Sequence, residues 1–268
     1  MNQFSLVFKH YFMRTLKDKL GLLTQIVTPF IIISIFTMIN EQWSIRSGFS
    51  VMFNGYNFGA TATTIPNLFF FQLFGGMWIL NYLYEDLKEV RRFRLFATPN
   101  DRKIFPIAAM LGSWLVSILQ GFIIIVGTSI LFDVYWGNKF FLLMALLAIS
   151  LFSQFLFVLI FALTNSLTVA NGIGFPLIFI IGSFGDVPIA IRDLINHRII
   201  AFMSDWSPVM LARRAVTESG SIATINLREG VYIAGDITIA MRNLIALFAM
   251  SAIIAAIAYC VGKVRKIW

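Results

Sequence analysis

Long apolar segments alternate with short polar ones along the whole chain. A helix needs about 20 apolar residues to cross a membrane, and six segments are predicted to cross, at about 20–39, 63–84, 104–132, 140–163, 171–184 and 237–261. Pro29 is predicted to kink the first of these spans. The fourth and fifth spans come from residues 140–185, which carry no charge and are too long for one helix. We place the break between them at 164–174, where helix-weakening residues are frequent.

Two further segments have helical patterns without being long enough to cross. Residues 1–19 place apolar side chains opposite basic ones at helical spacing, which predicts an amphipathic helix in the membrane interface. Residues 186–236 hold six acids and five arginines among short apolar runs, which predicts short extracellular helices between spans five and six. The expected fold is an all-α membrane protein with six transmembrane helices and an N-terminal interfacial helix, in a single transmembrane domain, 1–268.

The distribution of charge orients this topology. The chain is 59% hydrophobic and 13% charged, whereas soluble domains carry about 25% charged residues. Thirteen of the 21 Lys and Arg residues lie in the N-terminal segment, the loop 84–106 and the C-terminal tail. Because cytoplasmic loops are enriched in Lys and Arg, we expect both termini and this loop to be cytoplasmic. The same bias explains the net charge of +8, so we expect contact with membrane lipid and none with nucleic acid.

The sequence argues against catalysis and against ion coupling. It contains no G-x-x-x-x-G-K-[ST], H-E-x-x-H or G-x-S-x-G motif. One cysteine, Cys260, and two distant histidines predict no metal cluster. The middles of the predicted spans lack Asp, Glu and Lys, which disfavours a proton- or sodium-coupled carrier. We therefore expect no enzyme activity, no catalytic residue, no metal and no directly bound cofactor.

Neutral amides inside the spans are the candidates for a substrate path. They are Gln72 and Asn81 in the second span, Gln120 in the third and Gln154 in the fourth. Each would either line such a path or hydrogen-bond a neighbouring helix, a contact worth about 0.6–2 kcal/mol. The phenylalanines at 69–71 and 74 would likewise contact either an amphipathic substrate or lipid.

The loop 84–106 is the densest run of charge between two apolar segments. A short charged helix between two spans suits the docking of a cytoplasmic subunit, which would supply the energy source that this chain lacks. The alternative is a loop that satisfies the orientation bias and touches lipid headgroups. The charged residues available for docking are Glu85, Asp86, Lys88, Glu89, Arg91, Arg92 and Arg94.

The same loop resembles a family motif. ABC-2 type permeases, the membrane subunits of many bacterial ABC exporters, carry a pattern like E-R-E-x-G-T-x-x-x-L-x-x-T-P-x-x-R after their second span. Here Glu-Asp at 85–86, Leu-Phe-Ala-Thr-Pro at 95–99 and Arg102 resemble it, with Val-Arg at 90–91 in place of the Gly-Thr pair. Residues 9–33 resemble the family's N-terminus, and Ser-Pro-Val-Met at 207–210 resembles its N-P-L-T-Y-type segment. With the six-span layout, the resemblance extends over nearly the whole chain.

The resemblance implies a half-transporter. Two such permeases, identical or different, would pair with two cytoplasmic ABC ATPase subunits that bind ATP and Mg. Residues 85–99 would form the coupling helix, and Thr98 and Pro99 would join the docking residues. The chain would then be a multi-pass protein of the bacterial cell membrane.

The expected function is the permease subunit of an ATP-driven ABC exporter. Its cargo would be an amphipathic or hydrophobic substrate, such as a drug, an antimicrobial peptide or a lipid-like molecule, because apolar spans with scattered amides suit such a molecule. A lipid-linked glycan is the alternative cargo. The alternative from a different functional class is a stand-alone channel or carrier. The lack of intramembrane charges disfavours it. A membrane-embedded transferase would need clustered acids or histidines at one membrane face.

Overall fold

The structure confirms an all-α membrane protein. It is a computed structural model that describes residues 3–46, 52–53, 56–88, 104–189, 191–195, 197–220 and 235–265. Within these residues, six helical segments are long and apolar enough to cross a membrane. They are Lys19–Asn40, Gly59–Leu87, Ile104–Phe132, Lys139–Leu163, Leu167–Phe184 and Ile237–Val264.

The described residues form twelve α-helices, one π-helical turn and two short strands. The helices are α1 (Gln3–Lys17), α2 (Lys19–Leu22), a π-helical turn (Leu23–Val27), α3 (Thr28–Arg46), α4 (Phe58–Phe74), α5 (Met77–Leu87), α6 (Ile104–Phe132), α7 (Lys139–Leu163), α8 (Leu167–Phe184), α9 (Ile191–Leu194), α10 (Arg198–Asp205), α11 (Pro208–Ser219) and α12 (Ile237–Val264). Before α4, strands β1 (Met52–Phe53) and β2 (Tyr56–Asn57) pair antiparallel.

The first span contains a π-helical turn just before Pro29. Proline has no N–H to donate to the carbonyl of the preceding turn, and the π-helical turn ends at Val27. Such turns occur where the regular helical hydrogen-bond ladder is interrupted. Asp18 caps the start of this span by accepting from the backbone N of Gly21 at 2.9 Å.

The break between the fourth and fifth spans is shorter than the sequence suggests. The fourth span ends at Leu163 and the fifth begins at Leu167, so most of the predicted break, 164–174, is helical. The Ser166 side chain caps α8 by accepting from Val169 N at 3.3 Å. In lipid every backbone polar group must be satisfied internally, and this requirement outweighs the weak helix preference of Thr, Asn and Gly.

The second and fourth spans are the most buried, and the first, fifth and sixth are the least. Helix α12 packs along α7, and α11 packs against α4, α7 and α12. Between spans five and six, α10 is amphipathic and exposes Phe202, whereas α11 buries Val209 and Ala212 completely. One of these short helices therefore lies on the surface, and another is embedded in the bundle.

The two faces of the bundle are built from different elements. On one face α1 packs against the third span and hydrogen-bonds the end of the second. On the same face Lys88 and Arg265 join the ends of spans two, four and six. On the opposite face the turn 133–138 joins the start of the second span, because Asn57 N donates to Asp133 O at 3.1 Å. Tyr135 OH there donates to the Gly220 carbonyl at the end of α11.

Candidate functional site

An ion-pair network joins α1 to the end of the second span. Arg14 bonds both Glu85 and Asp86, the latter at 2.9 Å from Nη1 to Oδ2. Tyr11 OH donates to the same Asp86 oxygen at 2.7 Å, and the Arg14 guanidinium lies 4.6 Å from the centre of the Tyr82 ring. The Asp86 side chain is 7% exposed, and a buried carboxylate is stable when it is paired and hydrogen-bonded. Helix α1 is thereby fixed to the segment that enters the loop 84–106.

Lys88 fixes the same segment to the end of the fourth span. Its Nζ donates to the carbonyls of Phe161, at 2.9 Å, and Thr164. These carbonyls end α7, where a cation is favoured by the helix dipole. Burial, and secondarily the nearby Arg265, lower the pKa of Lys88 to about 8. Arg265 itself donates to the Leu163 carbonyl at 2.8 Å, so spans two, four and six are joined on this face.

Three of the predicted docking residues therefore bond within the chain. Glu85 and Asp86 bond Arg14, and Lys88 bonds the end of α7. The others lie outside the described residues: Glu89, Arg91, Arg92, Arg94, Thr98 and Pro99.

Two of the predicted path residues, Gln72 and Gln154, lie in a buried cluster that we call the polar cluster. The second span is interrupted at Gly75–Gly76, between α4 and α5. Gln72 Oε1 accepts from the hydroxyls of Ser117, at 2.7 Å, and Ser150, at 3.0 Å. Gln154 Nε2 donates to the Gly75 carbonyl at 3.3 Å. These bonds hold three spans together in the middle of the bundle, while Gln72 Nε2 and Gln154 Oε1 have no partner among the described residues.

The glycines at this interruption allow the close approach of two helices. A Cβ on Gly75 would lie 2.3 Å from Ser117 Oγ, and one on Gly76 would lie 2.5 Å from the Ser153 carbonyl oxygen. Ser153 Oγ also bonds across the interruption, accepting from Gly76 N at 2.9 Å and donating to the Leu73 carbonyl at 2.6 Å. A larger residue would therefore separate the second span from the third and fourth.

The other two path residues, Asn81 and Gln120, line a cavity of about 560 Å³ that we call the aromatic groove. It lies among the first, second, third and fifth spans. Its lining is mostly apolar and includes Phe36, Phe70, Phe71, Phe74, Trp78, Phe175 and Phe179. Of the aromatic run in the second span, Phe69 is fully buried, whereas the other three phenylalanines face this groove. A mostly apolar cavity with a few polar groups is the usual form of a small-molecule site.

A second cavity, of about 340 Å³, adjoins the groove on the face opposite α1, and we call it the polar cavity. Phe36 and Pro188 line both cavities and so form part of the wall between them. The polar lining comprises Asn40, Thr63, Asn67, Asp186 and Arg213. The two cavities together offer an apolar section followed by a polar one.

Several of these features were not predicted from the sequence. The sequence places Arg14 and Tyr11 on an interfacial helix and indicates no partner for either, and it gives no sign that Asp186 and Arg213 form a pair. The polar cluster does have a sequence signal, since two adjacent glycines interrupt an apolar run while serines recur at helical spacing in the third and fourth spans. In the ranges that the structure describes, no group of three His, Cys, Asp or Glu side chains is placed to hold a metal ion.

Comparison with known proteins identifies the family. The family model of the ABC-2 type transporter matches residues 2–219, which include the first five spans and the embedded helix α11. A search of curated proteins found no match. The resemblance in the sequence and the six apolar helices agree with the family match. The chain belongs to the ABC-2 type transporter family and is the membrane subunit of a transporter.

Proposed function

We propose that this chain is the permease subunit of an ATP-driven ABC exporter that moves an amphipathic or hydrophobic molecule out of the cell. The observation that carries the proposal is the aromatic groove, which adjoins a polar cavity on the face opposite α1. An amphipathic drug, peptide or lipid-like molecule matches this order of apolar and polar lining. A lipid-linked glycan fits less well, because the aromatic groove offers few polar groups to a sugar chain.

The energy would come from two cytoplasmic ABC ATPase subunits, which would bind ATP and Mg. A second permease, identical or different, would complete the complex. Residues 85–99 would act as the coupling helix. The hydrogen bonds of Arg14 and Lys88 support this role, because a displacement of the loop would act directly on α1 and on the ends of spans two and four.

The orientation follows from the charge bias. Both termini would be cytoplasmic in a bacterial cell membrane, and the polar cavity would open to the outside. In a Cys260→Ser background, Ser219→Cys should react with an impermeant thiol reagent added to intact cells. Labelling that requires permeabilised cells would reverse the orientation and contradict the proposed direction of transport.

The first test is purification of the tagged protein in mild detergent, followed by mass spectrometry. We expect an ABC ATPase in about a one-to-one ratio with permease chains, as two of each would form the complex. A permease that emerges alone, even after crosslinking in the membrane, would favour a stand-alone channel or carrier.

The second test measures ATP-dependent uptake of an amphipathic dye into inside-out vesicles. Phe74→Ala removes a ring that contacts Phe70, Phe71, Phe175 and Phe179 in the groove. Because an aromatic contact contributes about 0.5–1.5 kcal/mol, we expect the KM to rise about two- to tenfold. The control is Phe140→Ala, since Phe140 is exposed and does not line the groove. Equal effects of both changes would argue against the groove as the path.

A further inference from the structure

We propose that Arg213 binds an anionic headgroup, a phosphate or carboxylate, of the transported amphipath while the apolar part of that molecule occupies the aromatic groove. This inference rests on the proposed exporter function and specifies its substrate class. It concerns the polar cavity, in which Arg213 and Asp186 are the charged lining residues among those that the structure describes.

The ion pair in this cavity has one fixed and one adaptable member. Asp186 sits in the turn after α8 with φ 65°, and its backbone N donates to Ser183 O at 3.3 Å. Arg213 reaches it from the middle of α11, with Nη1 at 3.1 Å from Asp186 Oδ2. The two side chains are 28% and 25% exposed, Arg213 first. The pair is therefore accessible to a solute that enters the cavity.

The guanidinium has donors left for a ligand. It carries five N–H groups in a planar fork that matches carboxylate and phosphate. Within the described part of the chain, the hydrogen bond to Asp186 uses one of them. Asp186, by contrast, has further interactions besides this pair. Arg213 is thus the better placed of the two to bind an incoming charge, which makes the ligand an anion.

Neighbouring groups suit the polar part of the same ligand. Asn40 Nδ2 donates to Thr63 Oγ1 at 2.8 Å, and Asn67 Nδ2 donates to the Thr63 carbonyl at 2.7 Å. Each amide nitrogen uses one of its two N–H groups in these contacts, so each has a second donor for the polar headgroup. Since Phe36 and Pro188 line both this cavity and the groove, the two adjoin. A headgroup at Arg213 therefore places its apolar chain towards the phenylalanines.

The experiment uses the permease–ATPase complex in liposomes. Transport is measured for three fluorescent amphipaths that share one alkyl chain and differ in the head, which is a phosphate, a trimethylammonium or a hydroxyl. With the unaltered complex we expect the lowest KM for the phosphate. Arg213→Gln should raise that KM about tenfold, as for the loss of a charge-assisted contact, and leave the hydroxyl compound unchanged. Arg213→Lys keeps the charge without the planar fork. Its KM for the phosphate compound should lie between those of the unaltered complex and Arg213→Gln.

A matched control is available in the next residue. Arg214 forms a similar ion pair with Asp205, at 2.6 Å, but does not line the polar cavity. Arg214→Gln should therefore leave all three KM values unchanged. The double variant Asp186→Asn with Arg213→Gln removes both charges, so it tests the headgroup effect without leaving an unpaired carboxylate.

The possible outcomes of this experiment lead to different conclusions. A loss for all three compounds in both Arg213→Gln and the double variant would assign the pair a structural role and overturn the proposal. A preference for trimethylammonium that Asp186→Asn abolishes would identify a cation-binding site at Asp186 and also overturn the proposal. If the phosphate compound binds without ATP-driven movement while the hydroxyl compound is moved, the site holds a resident lipid and the proposal that Arg213 binds cargo is overturned. If the unaltered complex moves none of the three compounds, the proposed exporter function itself fails.

Discussion

The four amides in the spans occupy two contrasting environments. In the polar cluster, Gln72 and Gln154 are fully buried and bond serines and backbone across three spans. In the aromatic groove, Asn81 and Gln120 face phenylalanine rings across a cavity. All four side chains are amides, so the difference comes from the helices that face them. An amide holds helices together where a hydroxyl or a free carbonyl lies within reach, and it lines a cavity where aromatic rings keep the helices apart.

The interruption of the second span explains the first environment. Ending α4 at Phe74 leaves carbonyls without a helical partner, and the fourth span supplies Ser153 and Gln154 to the interruption. Gln72, Gln154 and Gln120 are all buried, and each keeps one amide atom without a hydrogen-bond partner among the described residues, namely Gln72 Nε2, Gln154 Oε1 and Gln120 Oε1. Gln120 differs from the other two in that its side chain lines the groove.

The largest expected effect comes from filling the interruption. Gly76→Ala places a Cβ 2.5 Å from the Ser153 carbonyl oxygen, and overpacking of this kind costs about 1–3 kcal/mol. Gly172→Ala is the matched control, because no atom lies within 4 Å of its added Cβ. We expect a lower unfolding temperature in detergent for the first variant and an unchanged or higher one for the second. Equal shifts would contradict the tight packing of the polar cluster.

Gln72→Leu tests the polar cluster through its hydrogen bonds. The Ser117 hydroxyl would lose the Gln72 acceptor, and an unsatisfied buried donor costs about 1–3 kcal/mol. The unfolding temperature should fall, while the transport KM of correctly folded protein should stay the same. A change in KM without a change in stability would move Gln72 to the substrate path.

Gln120→Leu is expected to give the opposite result. The Gln120 side chain lines the groove and its Oε1 has no partner to lose among the described residues, so the unfolding temperature should stay near that of the unaltered protein. The KM of a substrate with a hydrogen-bond donor should rise about two- to tenfold, as for one hydrogen bond. Transport assays with and without a donor on the same alkyl chain measure this difference. Reduced stability without any change in KM would remove the contrast between the two environments.

The smallest expected effect concerns Lys88, whose Nζ bonds carbonyls at the end of α7 and is partly exposed to water. Its pKa is about 8 in the folded protein and about 10.5 when unfolded. Between these values the unfolded chain binds more protons, so the contribution of Lys88 to stability rises with pH from about 8 to about 10.5. Lys88→Met should lose this part of the pH dependence of the unfolding temperature. An unchanged pH profile in that variant would indicate that Lys88 is fully solvated.

The spans could be predicted because crossing depends on a local property of the chain. Apolar length decides whether a segment crosses, and the predicted and observed limits of the third span coincide at Ile104–Phe132. The break after Leu163 was predicted too long, because helix preference measured in water underestimates helix formation in lipid. The extent of the second span was predictable in outline, but its interruption at Gly75–Gly76 was not.

The sequence by itself determined the class, the number of spans and the family, since these depend on the order of apolar and charged residues. Only the tertiary structure decided what each polar residue does. Arg14 and Asp86 are 72 positions apart, and Asp186 and Arg213 are 27 apart. No local pattern encodes such pairs, because they form when helices pack and buried charges require partners. For the same reason, the assignment of Gln72 to the polar cluster and of Gln120 to the aromatic groove depends on which helix faces each of them.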